Sequence, residues 1–177
     1  MTDKDLTLAD PPEVVLDTNV VLDWLLFDDP TVRPLAEAII AGRWRWVGTE
    51  DTLGELAVVL SRPELARWHP GRRDPGTTVA DASPSAEAAE SRVAVTGECV
   101  HPALATARHL CRRVAAPIVG GTQRLNCTDA DDQKFIDLAM ARRVQWLFSR
   151  DKAVLRLARR ARAFGVTVLR PRDWPRD

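Results

Sequence analysis

The most constraining feature of the chain is a short apolar run, Val14-Val15-Leu16, that leads directly into the carboxylate of Asp17. Consecutive apolar residues, two of them β-branched, are typical of a strand buried on both faces of a parallel sheet. Asp17 would then lie at the carboxyl end of this strand, the edge at which open α/β sheets bind ligands. A carboxylate this close to a core needs a partner. Either Asp17, Thr18 or Asn19 caps the following helix, or Asp17 binds a metal ion.

Composition bounds the class of protein. The 177 residues suffice for one domain with a real core. Because 25 basic residues balance 25 acidic ones, the net charge indicates no nucleic-acid partner, and local clusters must carry that argument. Three cysteines without a Cys-x-x-Cys pair argue against a disulfide framework or a zinc knuckle. Without a signal peptide or a membrane-length apolar run, we expect a soluble, cytoplasmic protein with no membrane partner.

The domain organisation follows from changes in composition along the chain. Residues 1–12 are polar and end in two prolines, which predicts a flexible leader, and residues 13–177 are predicted to form a single domain. Residues 69–97 are rich in Gly, Pro, Ser and Ala and show no sustained period, which predicts an insertion or a mobile loop.

Apolar spacing predicts an alternation of strands and helices. After the first strand and its helix, helices are predicted over residues 31–41, 52–60, 103–114 and 152–164, and strands over 44–47, 118–119, 144–148 and 166–169. A further helix is predicted to carry Phe135, Ile136 and Ala139, with the acids of residues 129–132 in its first turn. This alternation predicts an α/β fold, a three-layer α/β/α sandwich with a mainly parallel central sheet. Neither the three-glycine dinucleotide motif nor the P-loop motif is present.

Three further carboxylates occupy positions comparable to that of Asp17. Glu55 and Asp132 lie in the predicted first turns of two helices, and Asp151 follows a predicted strand through Ser149. Parallel strands would bring these positions to one rim of the sheet. A site of carboxylates without His or Cys suits Mg²⁺ or Mn²⁺ and is poor for zinc. Such a site could hydrolyse phosphodiesters, because a bound metal ion activates water.

Each of these acids also has a purely structural interpretation. Thr52 and Glu55 match a capping box, and Thr128 or Asp129 could cap the helix that contains Phe135. Capping explains one acid in that stretch, whereas Asp129, Asp131 and Asp132 crowd together there. Their mutual repulsion would raise their pKa values unless a cation lay nearby.

Taken in order, these motifs resemble the PIN domain, and most closely its toxin branch in prokaryotic toxin–antitoxin systems. The resemblance spans residues 13–174, interrupted by residues 69–97. It rests on Asp17-Thr18-Asn19, Glu55, Asp129-x-Asp131-Asp132-x-Lys134-Phe135, Asp137-Leu138-Ala139 and Ser149-Arg150-Asp151. It implies an Mg²⁺- or Mn²⁺-dependent endoribonuclease, often a homodimer, that acts on RNA and is silenced by a cognate antitoxin.

The resemblance also implies roles for particular residues. Asp17 and Asp132 would hold the main metal ion, Asp151 would complete its coordination directly or through water, and Glu55 would orient or activate the attacking water. Thr18, Asn19 and Ser149 would orient the carboxylates. Asp129 is the expected helix cap, and Asp131 is an alternative to Asp132. Many relatives carry an acid where this chain has Ala153, so one or two metal ions remain open.

Other functions and contacts stay open at this stage. Arg150, Lys152 and Arg156 are candidates for RNA binding, although arginines near helix ends are commonly solvated charges that complement the dipole. The chain could instead be a housekeeping RNA-processing nuclease. It could also be a non-catalytic PIN-like module that binds RNA or protein and uses its acids as caps and ion pairs. An aspartate-dependent phosphatase is disfavoured because Asn19 stands where a second Asp is needed.

Overall fold

The fold is described from a computed structural model, which covers residues 10–68, 100–118 and 124–174, with side chains up to residue 65 in the first range. Most of the predicted leader and all of the predicted insertion at residues 69–97 lie outside the described residues. The predictions for these two segments, and that of a single domain, therefore stay predictions.

A parallel sheet organises the described residues. Its strands are β1 (Glu13–Leu16), β2 (Arg45–Gly48), β3 (Arg112–Arg113), β4 (Trp146–Phe148) and β5 (Thr167–Leu169). The order across the sheet is β3-β2-β1-β4-β5, and every neighbouring pair is parallel. Val14 faces Trp146 and Leu16 faces Phe148 across β1 and β4, so these two strands end side by side.

Helices cover both faces of the sheet. They are α1 (Thr18–Leu25), α2 (Arg33–Ile40), α3 (Glu50–Leu60), α4 (Pro102–Leu110), α5 (Gln133–Arg142), α6 (Lys152–Leu155) and α7 (Ala158–Ala161), with 3-10 turns at Pro63–Trp68, Arg162–Phe164 and Pro171–Asp173. Val14 and Leu16 pack with residues of α1 to α4 in one core, and Val15 packs with residues of α5 to α7 in the other. Alternation along β1 therefore supplies both cores, and the predicted α/β/α sandwich is confirmed.

Two predicted elements differ in the structure. The helix predicted over residues 103–114 ends at Leu110, because Cys111 is extended and Arg112–Arg113 pair with β2 as β3. The amide of Val114 continues this pairing by donating to the carbonyl of Gly48. Ile118, predicted to lie in a strand, is outside regular structure and fully exposed, and Val119 lies beyond the described residues.

The capping box predicted for Thr52 and Glu55 is also wrong. Helix α3 begins at Glu50, and its box joins Thr49 and Thr52, each side chain accepting a hydrogen bond from the other's amide. Glu55 therefore lies in the second turn and takes no part in capping. The carboxylate is left free to contact another element.

Aromatic rings close one side of the sheet. Trp44 stacks on Trp146 with ring centroids 4.1 Å apart, and Trp174 meets both rings edge-on. Trp46 is buried and packs against Trp24. Packing therefore accounts for the described tryptophans. None of the described helices has the length and apolarity that a membrane-spanning segment requires.

We expect substitution by alanine at two glycines to change the free energy of unfolding in opposite directions. Gly165 has φ +82°, so Gly165→Ala should lower the free energy of unfolding by about 1 kcal/mol because a Cβ is strained there. Gly54 lies inside α3 with open space where a Cβ would project, so Gly54→Ala should raise it by about 0.5–1 kcal/mol. Urea denaturation of both variants measures this, and changes of the same sign would contradict it.

Candidate active site

The site is centred on Asp17, which is 1% exposed at the carboxyl end of β1. Asp17 occupies the N-cap position of α1, where the amide of Asn19 lowers the pKa of its carboxylate without forming a full capping hydrogen bond. Instead, the Ser149 hydroxyl donates to Asp17 Oδ2 at 2.6 Å. The Ser149 Oγ atom also accepts from the amide of Asp151 at 2.9 Å. Ser149 thereby links the ends of β1 and β4, which the parallel register places together.

The other predicted acids come from three separate segments. Asp151 follows β4 and caps α6, accepting a hydrogen bond from the amide of Ala153. Asp132 stands at the N-cap of α5, immediately before the helix and not in its first turn as predicted, and its side chain makes no capping bond. Asp129, expected as the cap of this helix, instead accepts from the amide of Asp131 in the preceding turn.

These carboxylates are close enough to repel one another. Burial, followed by the negative charges of Asp17, Asp151, Asp129 and Glu55 in that order, raises the pKa of Asp132 to about 7. Burial also raises the pKa of Asp17, while the Ser149 hydroxyl and the amide of Asn19 oppose that rise. We call these five residues, Asp17, Glu55, Asp129, Asp132 and Asp151, the acid cluster. Asp131 is exposed at its margin.

Glu55 reaches the acid cluster from α3 and is held there by a lysine. Its carboxylate forms an ion pair with Lys134 of α5, and Lys134 Nζ also donates to the carbonyl of Asp131. A cation in the first turn of a helix opposes the helix dipole, so this position needs a compensating partner. Glu55 supplies it. Sequence reasoning assigned Lys134 no role, although its place after Asp131 and Asp132 in the motif was a signal.

Gln133 is a second residue that sequence reasoning missed. Its side-chain oxygen accepts from the amide of Cys127, and its nitrogen donates to the carbonyl of Leu125 and to Asp137. Asp137 also binds Arg124 through two hydrogen bonds. This network fixes the segment that precedes α5, and with it the position of Asp132. Nothing local in the sequence indicates these partners.

The remaining predicted residues differ in their contacts. Thr18 is buried, and its hydroxyl has no hydrogen-bond partner among the described residues. Asn19 is exposed and acts on Asp17 through its backbone amide. Arg150 forms ion pairs with Asp23 and Asp29, each at 2.6 Å. Lys152 and Arg156 are exposed.

The donor types in the acid cluster suit a hard divalent cation, because the predicted ligands are all carboxylates. The buried, unpartnered Thr18 hydroxyl beside Asp17 and the raised pKa of Asp132 also fit a site that a cation would complete. Within the described residues, however, no three Asp, Glu, His or Cys side chains could hold one ion as they stand. Glu55 turns to Lys134 and Asp151 to the amide of Ala153, so coordination would require these side chains to rotate.

A family model described as the PIN domain matches residues 13–153, most of the chain. The chain belongs to the PIN domain family. PIN domains are generally nucleases, and they usually use divalent metal ions. Comparisons with curated proteins and with solved structures found no significant match. The matched residues include every member of the acid cluster, so the family assignment and the geometry concern the same part of the molecule.

The Ser149 bridge predicts a stability effect. Ser149→Ala should leave the buried Asp17 carboxylate without its side-chain donor and lower the free energy of unfolding by about 2 kcal/mol. Urea denaturation at neutral pH measures the change. Ser61→Ala is the control, since this exposed serine at the end of α3 should contribute less than about 0.5 kcal/mol. Equal effects of the two substitutions would contradict the assigned bridge.

The raised pKa of Asp132 predicts a pH dependence. Between pH of about 4 and about 7 the folded protein retains a proton at Asp132 that the unfolded chain has released. The free energy of unfolding of the wild type should therefore fall as the pH rises through this window, and fall less in Asp132→Asn. Urea denaturation in EDTA buffers measures both profiles.

Asp131→Asn is the matched control for that experiment, because Asp131 is an exposed carboxylate in the same turn. Its profile should follow that of the wild type. Parallel profiles for the wild type and Asp132→Asn would show that the Asp132 carboxyl titrates normally.

Proposed function

We propose that this PIN domain is an Mg²⁺- or Mn²⁺-dependent endoribonuclease that hydrolyses RNA phosphodiester bonds at the acid cluster. The observation that carries the proposal is the convergence of acids from three other segments on the buried Asp17, where burial first and then the neighbouring negative charges raise the pKa of Asp132 to about 7. Such repulsion destabilises a protein unless a cation relieves it. A nuclease family whose members usually use divalent metals provides the function for that cation.

We propose a separate role in catalysis for each residue of the site. Asp17 and Asp132 would hold the main ion, with Asp151 completing its coordination directly or through water. A bound divalent ion would lower the pKa of a water molecule and neutralise charge on the phosphate. Ser149 keeps Asp17 in one orientation by its hydrogen bond. Glu55 would orient or activate the attacking water.

Lys134 sets the resting position of Glu55. Its ion pair holds the carboxylate between α3 and α5, and its bond to the Asp131 carbonyl ties that carboxylate to the turn that carries Asp132. Glu55 and Asp132 therefore move together with the start of α5. The hydroxyl of Thr18, the residue after Asp17, has no hydrogen-bond partner among the described residues. We propose that it forms a hydrogen bond with a water molecule when the site holds a metal ion.

We further propose that the protein is the toxin of a toxin–antitoxin pair, with a cognate antitoxin as its protein partner. The resemblance of the four motifs to the toxin branch supports this role. Cytoplasmic RNA would be its substrate, and the family pattern favours a homodimer. A housekeeping RNA-processing nuclease would use the same chemistry, but its overproduction should not arrest growth.

The binding-module alternative has one observation in its favour. Glu55 forms an ion pair and Asp151 caps α6, which are the structural roles that a non-catalytic domain would give its acids. Such a module would bind no divalent ion at physiological concentration and would cleave no RNA. Activity measurements on the intact chain separate the two functions.

We expect the purified protein to cleave a pool of single-stranded and structured RNA in Mg²⁺ or Mn²⁺ and not in EDTA. Asp17→Asn and Asp132→Asn should each reduce the rate by at least about 100-fold, because each removes a carboxylate that binds the ion. Asp131→Asn, which changes an exposed acid nearby, should retain activity. Circular dichroism checks that every variant is folded.

Expression in a bacterial host tests the toxin role in the same variants. The wild type should arrest growth and Asp17→Asn should not. Cleavage without growth arrest would support the housekeeping nuclease. Metal-dependent cleavage retained in folded Asp17→Asn would contradict the proposed site.

A further inference from the structure

A groove along β5 adjoins the acid cluster, and we call it the β5 groove. Its larger cavity has a volume of about 640 Å³, and its lining includes Trp146, Leu155, Arg162, Thr167 and Arg170. Its smaller cavity, of about 310 Å³, is lined in part by Thr31, Arg150 and Arg170. Arg170 lines both cavities, so they adjoin, and we treat them together as one groove. Volumes of this order are typical of sites for small organic ligands.

The groove opens at the rim of the sheet that carries the acid cluster. Strands β4 and β5 end together, since Phe148 pairs with Leu169 and the amide of Ser149 donates to the Leu169 carbonyl at 3.1 Å. Arg170 follows immediately. On the neighbouring strand, Ser149 binds Asp17, and Arg150 lines the smaller cavity. A polymer bound at the acid cluster can therefore continue into the groove.

The arginines of the groove are not equivalent. Arg150 is neutralised by Asp23 and Asp29, and its guanidinium also donates to Thr31. Arg162 and Arg170, by contrast, form no ion pair with any residue in the described ranges. Asp173, a carboxylate in the larger cavity, lies 3.7 Å from Arg172. The groove therefore presents two uncompensated positive charges.

We propose that the β5 groove binds the phosphate backbone of single-stranded RNA as it leads away from the acid cluster, through Arg170 at the rim of the sheet and Arg162 toward the other end of β5. This proposal rests on the proposed ribonuclease function and adds its substrate path. It replaces Arg150 of the predicted RNA contacts, because Arg150 is committed to the ion pairs that join β4 to α1 and the turn before α2.

Binding can be measured without cleavage. The probe is a fluorescein-labelled oligouridylate of about 12 nucleotides, a length within the usual range of single-strand sites, followed by fluorescence anisotropy in EDTA. The test variant is Arg162→Ala with Arg170→Ala. The matched control is Arg43→Ala with Arg108→Ala, which removes the same charge from exposed residues that line neither cavity of the groove.

We expect the test variant to bind about tenfold more weakly at low salt, and the plot of log Kd against log salt concentration to lose about 1.4 in slope, or 0.7 for each lost phosphate contact. The control should stay within about twofold of the wild type. Equal losses in both variants would show that only net charge matters and would overturn the proposal. Displacement of the RNA by polyglutamate at equal charge would overturn it too, because the groove would then be a peptide surface.

The combined results of the binding and cleavage experiments distinguish failure of the proposed groove from failure of the proposed nuclease function. Loss of RNA binding in the Arg162 and Arg170 variant, with no cleavage by the wild type in Mg²⁺, would support the groove and contradict the nuclease. Cleavage by the wild type, with unchanged RNA affinity in the variant, would support the nuclease and overturn the groove. In a cleaving enzyme, the variant should raise KM and leave kcat within about twofold, because these arginines contact the RNA away from the reacting bond.

Discussion

The geometry of this site depends on one buried hydrogen bond, from the Ser149 hydroxyl to the Asp17 carboxylate. A buried carboxylate without a donor is costly, so β1 and β4 must end side by side for Asp17 to be tolerated there. The parallel pairing of Leu16 with Phe148 meets that requirement. Because Ser149 also accepts from the Asp151 amide, the same contact sets the start of α6. The register of the sheet therefore also determines the geometry of the site.

The features that could be predicted from the sequence are those that depend on the local pattern of apolar and polar residues. Val14 to Leu16 and Leu147 to Phe148 are apolar without interruption, as buried parallel strands are, and both are followed by polar residues where the strands end. The α/β alternation and the positions of Asp17 and Asp151 at the strand ends followed from that pattern, and the structure agrees. The crowding of acids before α5 predicted a raised pKa there, and Asp132 has one, but its causes are burial first and then the charges of Asp17 and Asp151, ahead of that of Asp129.

What could not be predicted depends on partners distant in sequence. Arg112 and Arg113 form a strand because β2 offers an edge to pair with, although the residues before them have helical spacing. Glu55 was assigned to a capping box because Thr52 is its near neighbour, whereas its partner is Lys134 on another helix. Arg150 resembles a phosphate contact in a basic stretch, yet carboxylates of α1 and the following turn engage it. The sequence pattern identifies each charged residue but not the residue with which it forms an ion pair.

The separation of Asp17 and Ser149 by 132 positions has a consequence for biosynthesis. β1 emerges from the ribosome before its neighbour β4 and before the serine that binds Asp17. Until Ser149 is made, the Asp17 carboxylate lacks its side-chain hydrogen-bond donor and the acid cluster is not assembled. Contacts between distant residues also form late in folding. A growing chain therefore carries no assembled centre, which suits a protein whose proposed substrate is RNA.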